Sequence, residues 1–275
     1  MRWHTATQGS GAHTGAPPPR QPVADGAWPC PAGLPGGRRH HRDRTLAHAE
    51  NHLIELLPRD DRRHLLAQCE LATLVMADVL CEPGQRLHLV FFPIGGVVTL
   101  VTRLDYHAGL EVGMVGHEGM LGAQVALGVL QSPLRAVVQG PGTAWRIGAE
   151  AFAAELVRSE ALRHVVHGYL AARMAQLAVS AACLRFHLIG PRLARWLLLR
   201  HDRAQVDRFG VTQEFLAQLL GVRRVGITTA AGSLQRQGLI EYHRGQLRVL
   251  DRAGLEAVAC SCYAADRQAY AERLG

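Results

Sequence analysis

The sequence predicts an α+β protein with an N-terminal antiparallel β-roll (a cupin-like jelly roll), a long helix, and a C-terminal helix-turn-helix with a β-hairpin wing. Three observations lead to this prediction. Between residues 71 and 147, β-rich runs alternate with turn signals every 8–12 residues or so, roughly the spacing of a small β-domain. Residues 159–187 carry apolar side chains at helical spacing. Residues 211–250 contain two short amphipathic segments separated by a glycine, followed by a hairpin pattern.

The domain organisation follows from shifts in composition. The N-terminal residues are rich in Gly, Pro, Arg and His and show no hydrophobic periodicity, which is typical of disorder. The expected divisions are a disordered tail over 1–45, the β-roll over 51–150, the long helix over 151–188, the winged helix-turn-helix over 189–262, and a C-terminal tail over 263–275.

The β-roll is expected to begin after two short helices, His52–Leu57 and Asp60–Gln68, with Asp60 as the N-cap of the second. Gly and Pro clusters then separate the strands. The predicted strands are Leu71–Val75, His88–Phe92, Gly96–Leu104, Leu110–Val115, Arg135–Gln139 and Ala144–Ile147.

The long helix is predicted to start at the N-cap Ser159 and to run to about His187. Its apolar stripe consists of Leu162, Val166, Tyr169, Met174, Leu177, Ala181 and Leu184. A helix of this length spans about 40 Å, more than one small β-domain covers. The stripe therefore predicts a seam between two chains, with an ordinary core helix as the alternative. Pro191 is expected to open a further helix, Arg192–Arg203.

The helix-turn-helix prediction rests on local signals. Thr212 is a good N-cap, and Gly221 supplies the turn between the helices. The first helix has an apolar face of Phe215, Leu216, Leu219 and Leu220, and the second one of Ile227, Ala230, Ala231 and Leu234. Leu239–Tyr242 and Gln246–Leu250 then form a hairpin around the turn Arg244-Gly245.

The exposed face of the second helix suits a DNA major groove. Arginine can fork onto guanine, and threonine can contact a thymine methyl group or a phosphate. From Arg185 to Arg252 there are 12 arginines against five acidic residues, a local charge of +7, whereas residues 51–184 carry −2. The basic excess therefore lies where contact with phosphate would need it. Double-stranded DNA is the predicted partner; the alternatives are a solvated face, or a ligand-binding or scaffold module whose winged helix contacts protein.

Other function classes find little support. No apolar stretch is long enough to span a membrane and no export signal is visible, so a cytoplasmic protein is expected. The six cysteines are scattered without a CxxC pair, which fits reduced thiols. Cys260-Ser-Cys262 is the only close pair, and nothing nearby in the sequence completes a ligand set, so no metal site is predicted.

A catalytic site is likewise not expected, and the chain is predicted not to be an enzyme. His117-Glu118 begins like a zinc-protease HExxH motif, but Leu121 follows three residues after Glu118 and the second histidine is missing. A polar turn between strands is the preferred interpretation. Acid–base catalysis by His117 and Glu118, or sensing of haem or pH by His117, are the alternatives.

The order of β-roll, long helix and winged helix-turn-helix resembles the Crp/Fnr family of bacterial transcription regulators over about residues 51–262. The resemblance implies a β-roll sensor, a dimerisation helix, and a winged helix that binds palindromic DNA. It implies base contacts at Arg224, Val225 and Thr229, with Arg223 and Thr228 adjacent. Arg224 matches an arginine used widely in the family. Val225 stands where many members have Glu, and Thr229 where some have a second Arg.

Contacts to the DNA backbone are expected from Thr212, Gln213, Arg244 and Arg248. RNA polymerase is a further candidate partner, because an activator of this family must contact it. The expected function is that of a homodimeric, sequence-specific transcription regulator controlled by an unidentified signal at the β-roll.

The expected sensor site departs from that of the cyclic-AMP-binding members, which use a Gly-Glu pair and, further on, an Arg-Ser pair. Here Ala123 and Gln124 follow Gly122, and Leu134 precedes Arg135. Ala123 replaces the glutamate, and a one-residue slip on a strand turns Arg135 to the opposite face. These four residues (Ala123, Gln124, Leu134 and Arg135) remain effector candidates, but the pattern argues against a cyclic nucleotide.

Other cofactors of the family find no clear signal. The iron–sulfur version needs an N-terminal cysteine cluster, and only Cys30 lies there. No cofactor is evident, and haem or another small-molecule effector stays open.

Overall fold

The structure, a computed structural model, describes residues 51–103 and 109–275. The predicted tail over residues 1–45, with Cys30, and the end of the strand predicted to reach Leu104 lie outside the described residues.

The N-terminal domain is an antiparallel β-roll, as predicted. Its strands are β1 (Glu70–Leu74), β2 (Val79–Cys81), β3 (Leu89–Pro93), β4 (Val97–Thr102), β5 (Leu110–Val115), β6 (Arg135–Gly140) and β7 (Gly142–Gly148). They form two sheets with the orders β1-β7-β3 and β2-β6-β4-β5, in which most neighbours are not consecutive in the chain. One hydrophobic core joins the two sheets. The three-residue β2 was not predicted, because it is too short to show alternation.

Short helices cover this β-roll. They are α1 (His52–Glu55), α2 (Arg59–Ala67), a 3-10 helix (Ala123–Leu127) and α3 (Ala149–Arg158). Phe152 of α3 packs edge-on against Phe92 of β3, with ring centroids 5.9 Å apart. The predicted N-cap Asp60 is wrong: Pro58 occupies the cap position and makes no side-chain cap bond. Asp60 lies instead inside the first turn, where a carboxylate still favours the helix N-terminus.

The long helix α4 (Glu160–Phe186) confirms the predicted element. The Ser159 hydroxyl oxygen accepts a hydrogen bond from the Leu162 amide at 3.0 Å, as an N-cap should. The N-terminal half of its predicted stripe is buried against the β-roll, through Leu162, Val166 and Tyr169. The C-terminal half is not: Met174 is 72% exposed. The helix therefore leaves an apolar surface uncovered by its own chain.

The C-terminal domain contains the predicted winged helix-turn-helix. Its elements are α5 (Ile189–Ala204), β8 (Arg208–Gly210), α6 (Gln213–Leu219), α7 (Arg224–Arg236), β9 (Ile240–His243), β10 (Gln246–Val249) and α8 (Arg252–Val258). The wing is a three-stranded sheet of order β8-β10-β9. Sequence periodicity predicted only its hairpin, since β8 is three residues long and pairs with a strand more than 30 positions further on.

The predicted C-terminal tail over 263–275 is wrong, because Cys262–Leu274 forms the helix α9, which packs along α4. Leu274 is buried in the β-roll core. The Tyr270 hydroxyl lies 2.8 Å from Nδ1 of His52 in α1. The segment looked like a tail because charged residues interrupt its apolar positions.

Helix α5 also connects the two domains. Arg203 forms an ion pair with Glu118 of the β-roll at 2.8 Å, and Arg200 donates to the Gln139 carbonyl oxygen at 2.6 Å. The Trp196 indole donates to Glu111 Oε1 of β5 at 2.9 Å. Side chains of α5 thus hold the helix-turn-helix domain against the β-roll.

Candidate nucleic-acid interface

The angle between α6 and α7 is set at Gly221. Its φ of 62° is a left-handed conformation that favours glycine. The buried side chain of Ile227 then anchors α7 against α5 and α6, and the opposite side of α7 is left to solvent.

The predicted base-contacting residues lie on that open side. Arg223 is the N-cap of α7 and Arg224 its first residue, and both are exposed. Val225 is 68% exposed, unusual for a valine, and presents a methyl-bearing surface of the kind that contacts thymine. Nε of Arg224 lies 3.8 Å from Glu214 of α6. Because both side chains are well exposed, this pair is weak, and Arg224 stays available to a ligand.

The two threonines differ in their hydrogen bonds. The Thr229 hydroxyl donates to the Val225 carbonyl oxygen at 3.0 Å, within its own helix. The Thr228 hydroxyl lies 2.7 Å from Gln213 Oε1 at the start of α6. Thr228 therefore holds Gln213 at the edge of the α7 face.

The start of α6 continues this surface toward the wing. The Thr212 hydroxyl oxygen accepts from the Phe215 amide at 3.1 Å, which confirms the predicted N-cap. Arg244 and Gly245 form the wing turn, both with positive φ. A side chain at Gly245 would meet Thr212, so the wing turn lies directly beside α6.

A partly buried tyrosine fixes the wing in this position. The Tyr242 hydroxyl donates to the Val211 carbonyl oxygen at 2.7 Å. Burial raises the pKa of Tyr242 to about 12, so this hydroxyl stays protonated and keeps donating at neutral pH.

The outer face of the wing contains a basic pair that the sequence did not single out. Arg248 of β10 stands opposite Arg208 of β8 on one side and Glu241 of β9 on the other. All three side chains are exposed. The two arginines, of which Glu241 offsets only one charge, give this face of the wing a net positive charge that suits a phosphate. Arg208 is therefore added to the candidate interface, and only the pairing of β8 could have revealed it.

The candidate effector residues of the β-roll are engaged within the protein. Ala123 is buried at the start of the 3-10 helix, and Arg135, at the start of β6, forms an ion pair with Glu82 at 3.2 Å. Gln124 and Leu134 are partly buried. An anionic effector at Arg135 would have to displace Glu82, and the assignment of these residues stays a prediction.

The His117-Glu118 pair lies in a turn, as preferred, and in addition connects the two domains. Glu118 accepts from the Gly116 amide at 3.1 Å besides its ion pair with Arg203. His117 Nε2 lies 3.1 Å from the side-chain nitrogen of Gln205. These contacts link the turn after β5 to the C-terminal end of α5.

One cluster escaped the sequence prediction. Cys260 and Cys262 meet Cys183 and His187 from the end of α4, with the four ligand atoms within 4.8 Å of one another. The sequence did not show this grouping, because Cys183 and His187 lie more than 70 positions before Cys260 and Cys262. The four-residue spacing of Cys183 and His187 on a helix is the signal that could have indicated the second half of the set.

The fold and the exposed basic face define a two-domain protein in which a β-roll is docked onto a winged helix-turn-helix. Residues 191–258 match the model of the Crp-like helix-turn-helix domain. No curated protein matches the sequence. Among the described residues, no helix has the length and apolar character of a membrane span.

Solved structures resemble the whole fold. A putative transcriptional regulator of the Crp/Fnr family from Eubacterium rectale is 16% identical, with 75% of this chain and 96% of that chain covered and a TM-score of 0.59. A CRP-family transcriptional regulator from Thermus thermophilus is 20% identical, with coverage of 68% and 96% and a TM-score of 0.57. FixK2 from Bradyrhizobium japonicum is 12% identical, with coverage of 70% and 98% and a TM-score of 0.57.

The predicted resemblance is supported by two findings: the model of the Crp-like helix-turn-helix domain matches residues 191–258, and the solved structures share the fold over 68–75% of this chain.

Proposed function

We propose that this protein is a homodimeric transcription regulator that binds a two-fold-symmetric DNA site through α7. The observation that carries the proposal is the set of exposed arginines, Arg223 and Arg224 at the start of α7 and Arg244 and Arg248 on the wing, with the partly exposed Gln213 of α6 hydrogen-bonded to α7. A helix N-terminus with two arginines, flanked by a basic wing, fits a major groove and its bordering phosphates. Chromosomal DNA as ligand would place the protein in the cytoplasm.

The dimer is supported by the exposed half of α4. Ala171, Met174, Ala178 and Ala181 recur at alternating spacings of three and four and are exposed. At 100° per residue they lie opposite the side of α4 that packs on the β-roll and α9. A stripe of this period pairs naturally with its own copy across a two-fold axis. In the resulting dimer the two α7 helices would enter successive major grooves, about 34 Å apart.

The test is selection of bound genomic fragments by the purified full-length protein, with and without cyclic AMP. A two-fold-symmetric motif enriched equally in both conditions is expected. Enrichment only with the nucleotide would show that the register assigned to Leu134 and Arg135 is wrong. If neither condition yields a motif, the proposed base reading by α7 fails.

Salt dependence then separates DNA from a protein partner. Neutralisation of Z phosphates makes log K fall with log salt at a slope of roughly −0.9Z. We expect a steep slope, unchanged by Arg146→Ala on β7, a control arginine that lies on the β-roll away from the wing. A flat slope would favour the alternative in which the winged helix contacts protein.

A further inference from the structure

We infer that Cys183, His187, Cys260 and Cys262 bind one soft divalent cation, Zn²⁺, where the long helix meets the winged helix-turn-helix domain. The inference rests on the geometry of these four side chains and does not depend on the proposed DNA binding. Its consequence for regulation, given below, does depend on it.

The four ligands come from two places in the chain. Cys183 and His187 lie one turn apart at the end of α4, so they project from the same face. Cys260 and Cys262 flank Ser261 in the segment that leads from α8 into α9. This Cys₃His set is among the common structural zinc sets, and a short cysteine pair combined with a helical pair is a usual way to supply it.

The distances fit one tetrahedral ion. The Sγ atoms of Cys183 and Cys260 lie 3.6 Å apart, and Sγ of Cys262 lies 3.4 Å from Nδ1 of His187. With Zn–S bonds of about 2.3 Å, two sulfurs of a tetrahedron are separated by about 3.8 Å. A polynuclear iron–sulfur cluster would distribute its four ligands over two or more irons, whereas here all four ligand atoms lie within 4.8 Å of one another. The observed spacing favours a mononuclear site.

The surroundings favour an ion over ordinary apolar packing. The three cysteines are 1%, 7% and 6% exposed, and they form a small cluster apart from both large hydrophobic cores, with Val179 packed against it. Thiols that merely fill space have no reason to converge on one point with an imidazole. The convergence is what coordination requires.

The charge balance also fits. Three thiolates, a neutral imidazole and Zn²⁺ leave one net negative charge. The guanidinium groups of Arg192 and Arg195 interact electrostatically with Cys183 and Cys260. Arg195 is paired with Asp266 at 2.6 Å, but Arg192 donates to the Leu220 carbonyl oxygen, which carries no formal charge. Arg192 therefore has a full positive charge to offset the site.

The position of the site suggests what the ion does. The chain passes from α4 into α5 just after His187, and it returns from α8 into α9 at Cys260. The Cys260 amide donates to the Pro191 carbonyl oxygen at 3.3 Å, so the two passages lie side by side. An ion bound to all four ligands joins both passages. The hydrogen bond from Arg192 to the Leu220 carbonyl oxygen connects this region to the turn before α7.

Metal content of the full-length protein, purified under reduction, tests the site. We expect about one zinc per chain by mass spectrometry, and thiolate-to-metal and d–d absorption bands of a tetrahedral site after exchange for Co²⁺. His187→Gln and Cys262→Ser should each weaken Co²⁺ binding at least about tenfold. Cys69→Ser, which removes a cysteine outside the cluster, should leave it unchanged. His187 is only partly buried, so its variant is expected to fold, which circular dichroism would verify.

Three results would overturn the inference. One is a wild-type protein that neither retains zinc nor develops the Co²⁺ bands. Another is equal Co²⁺ affinity in the wild type, His187→Gln and Cys262→Ser. The third is a Cys183–Cys260 disulfide in protein whose free thiols are alkylated at harvest.

The regulatory consequence is measured separately, by fluorescence anisotropy with DNA from the selection. Chelation should change the Kd of the wild type at least about fivefold and leave that of His187→Gln unchanged, because the variant has already lost the ion. Equal Kd values with and without chelator would refute the coupling. If no DNA binds at all, the proposed function fails while the metal count still decides the site.

Discussion

The half-buried carboxylate of Glu111 makes the stability of the docked domains depend on pH. Its Oε1 accepts from the Trp196 indole, and its Oε2 accepts from the Thr99 hydroxyl at 3.3 Å. Burial raises the pKa of Glu111 from 4.5 to about 7, although these hydrogen bonds and the nearby Arg200 and Arg203 lower it. We therefore predict that Glu111→Gln removes a pH-dependent loss of stability.

The sign and size follow from the two pKa values. Between pH 4.5 and about 7, folded Glu111 keeps a proton that the unfolded chain releases, so its contribution to stability decreases as pH rises. Each pH unit in this window costs up to about 1.4 kcal/mol, which gives at most about 3 kcal/mol over the window. Glutamine keeps the acceptor for Trp196 but cannot ionise. The variant should therefore gain stability over the wild type as pH rises.

Urea unfolding followed by circular dichroism at pH 5, 6, 7 and 8 measures this difference. Subtraction of the variant curve from the wild-type curve cancels groups that titrate alike in both proteins. We expect the difference in free energy of unfolding to grow from pH 5 to pH 7 and then to level off. A constant difference, or one that grows in favour of the wild type, would refute the assignment of the titration to Glu111.

Three further predictions concern the proposed function. Arg224→Ala should reduce the free energy of DNA binding by about 1–3 kcal/mol, roughly 5- to 150-fold in Kd, and relax specificity at one base pair per half-site. An unchanged selection profile would show that Arg224 is not the residue that reads this base. Arg248→Ala should weaken binding to all sequences alike and reduce the salt slope by about 1 in anisotropy titrations, whereas selective loss at the specific site would contradict a phosphate contact. Met174→Asp would bring like charges from the two chains together on the α4 stripe, and it should weaken dimerisation about tenfold or more in sedimentation velocity. The matched control Val157→Asp, at an exposed position of α3, should not weaken it. Equal behaviour of the two variants would place the dimer interface elsewhere.

Local chemistry made much of the fold predictable. Ser159 and Thr212 cap the helices that they were expected to cap, and Gly221 and the Arg244-Gly245 turn have the left-handed backbone that their positions require. Each signal acts within a few residues of itself. For this reason the long helix, the helix-turn-helix and the hairpin could be predicted from the sequence.

Features that depend on distant pairing were missed. Strand β8 exists because it pairs with β10, and α9 is helical where it packs along α4. Cys183 and Cys260 are 77 positions apart, and only the folded chain brings their thiols together. The base-reading and effector residues stay predictions, because their roles depend on ligands rather than on the fold of this chain.

The double passage of the chain between the domains has a mechanical consequence. A domain attached at one point can swivel in any direction. Here the connections before α5 and after α8 lie side by side at the cysteine cluster, so a rotation of the winged helix-turn-helix relative to the β-roll would displace the chain least at that point. The cluster acts as a pivot, and α5 extends away from it as a lever.

The length of α5 determines which contact between the domains a rotation about the cysteine cluster would break first. Arg203 lies 14 residues beyond Ile189, about 21 Å along α5, so a rotation of roughly 10° displaces its end of the helix by about 4 Å. A displacement of that size separates Arg203 from Glu118, whereas the groups at the pivot barely move. The Glu118–Arg203 pair, which joins the β-roll to the far end of α5, is therefore the contact that such a rotation would break first.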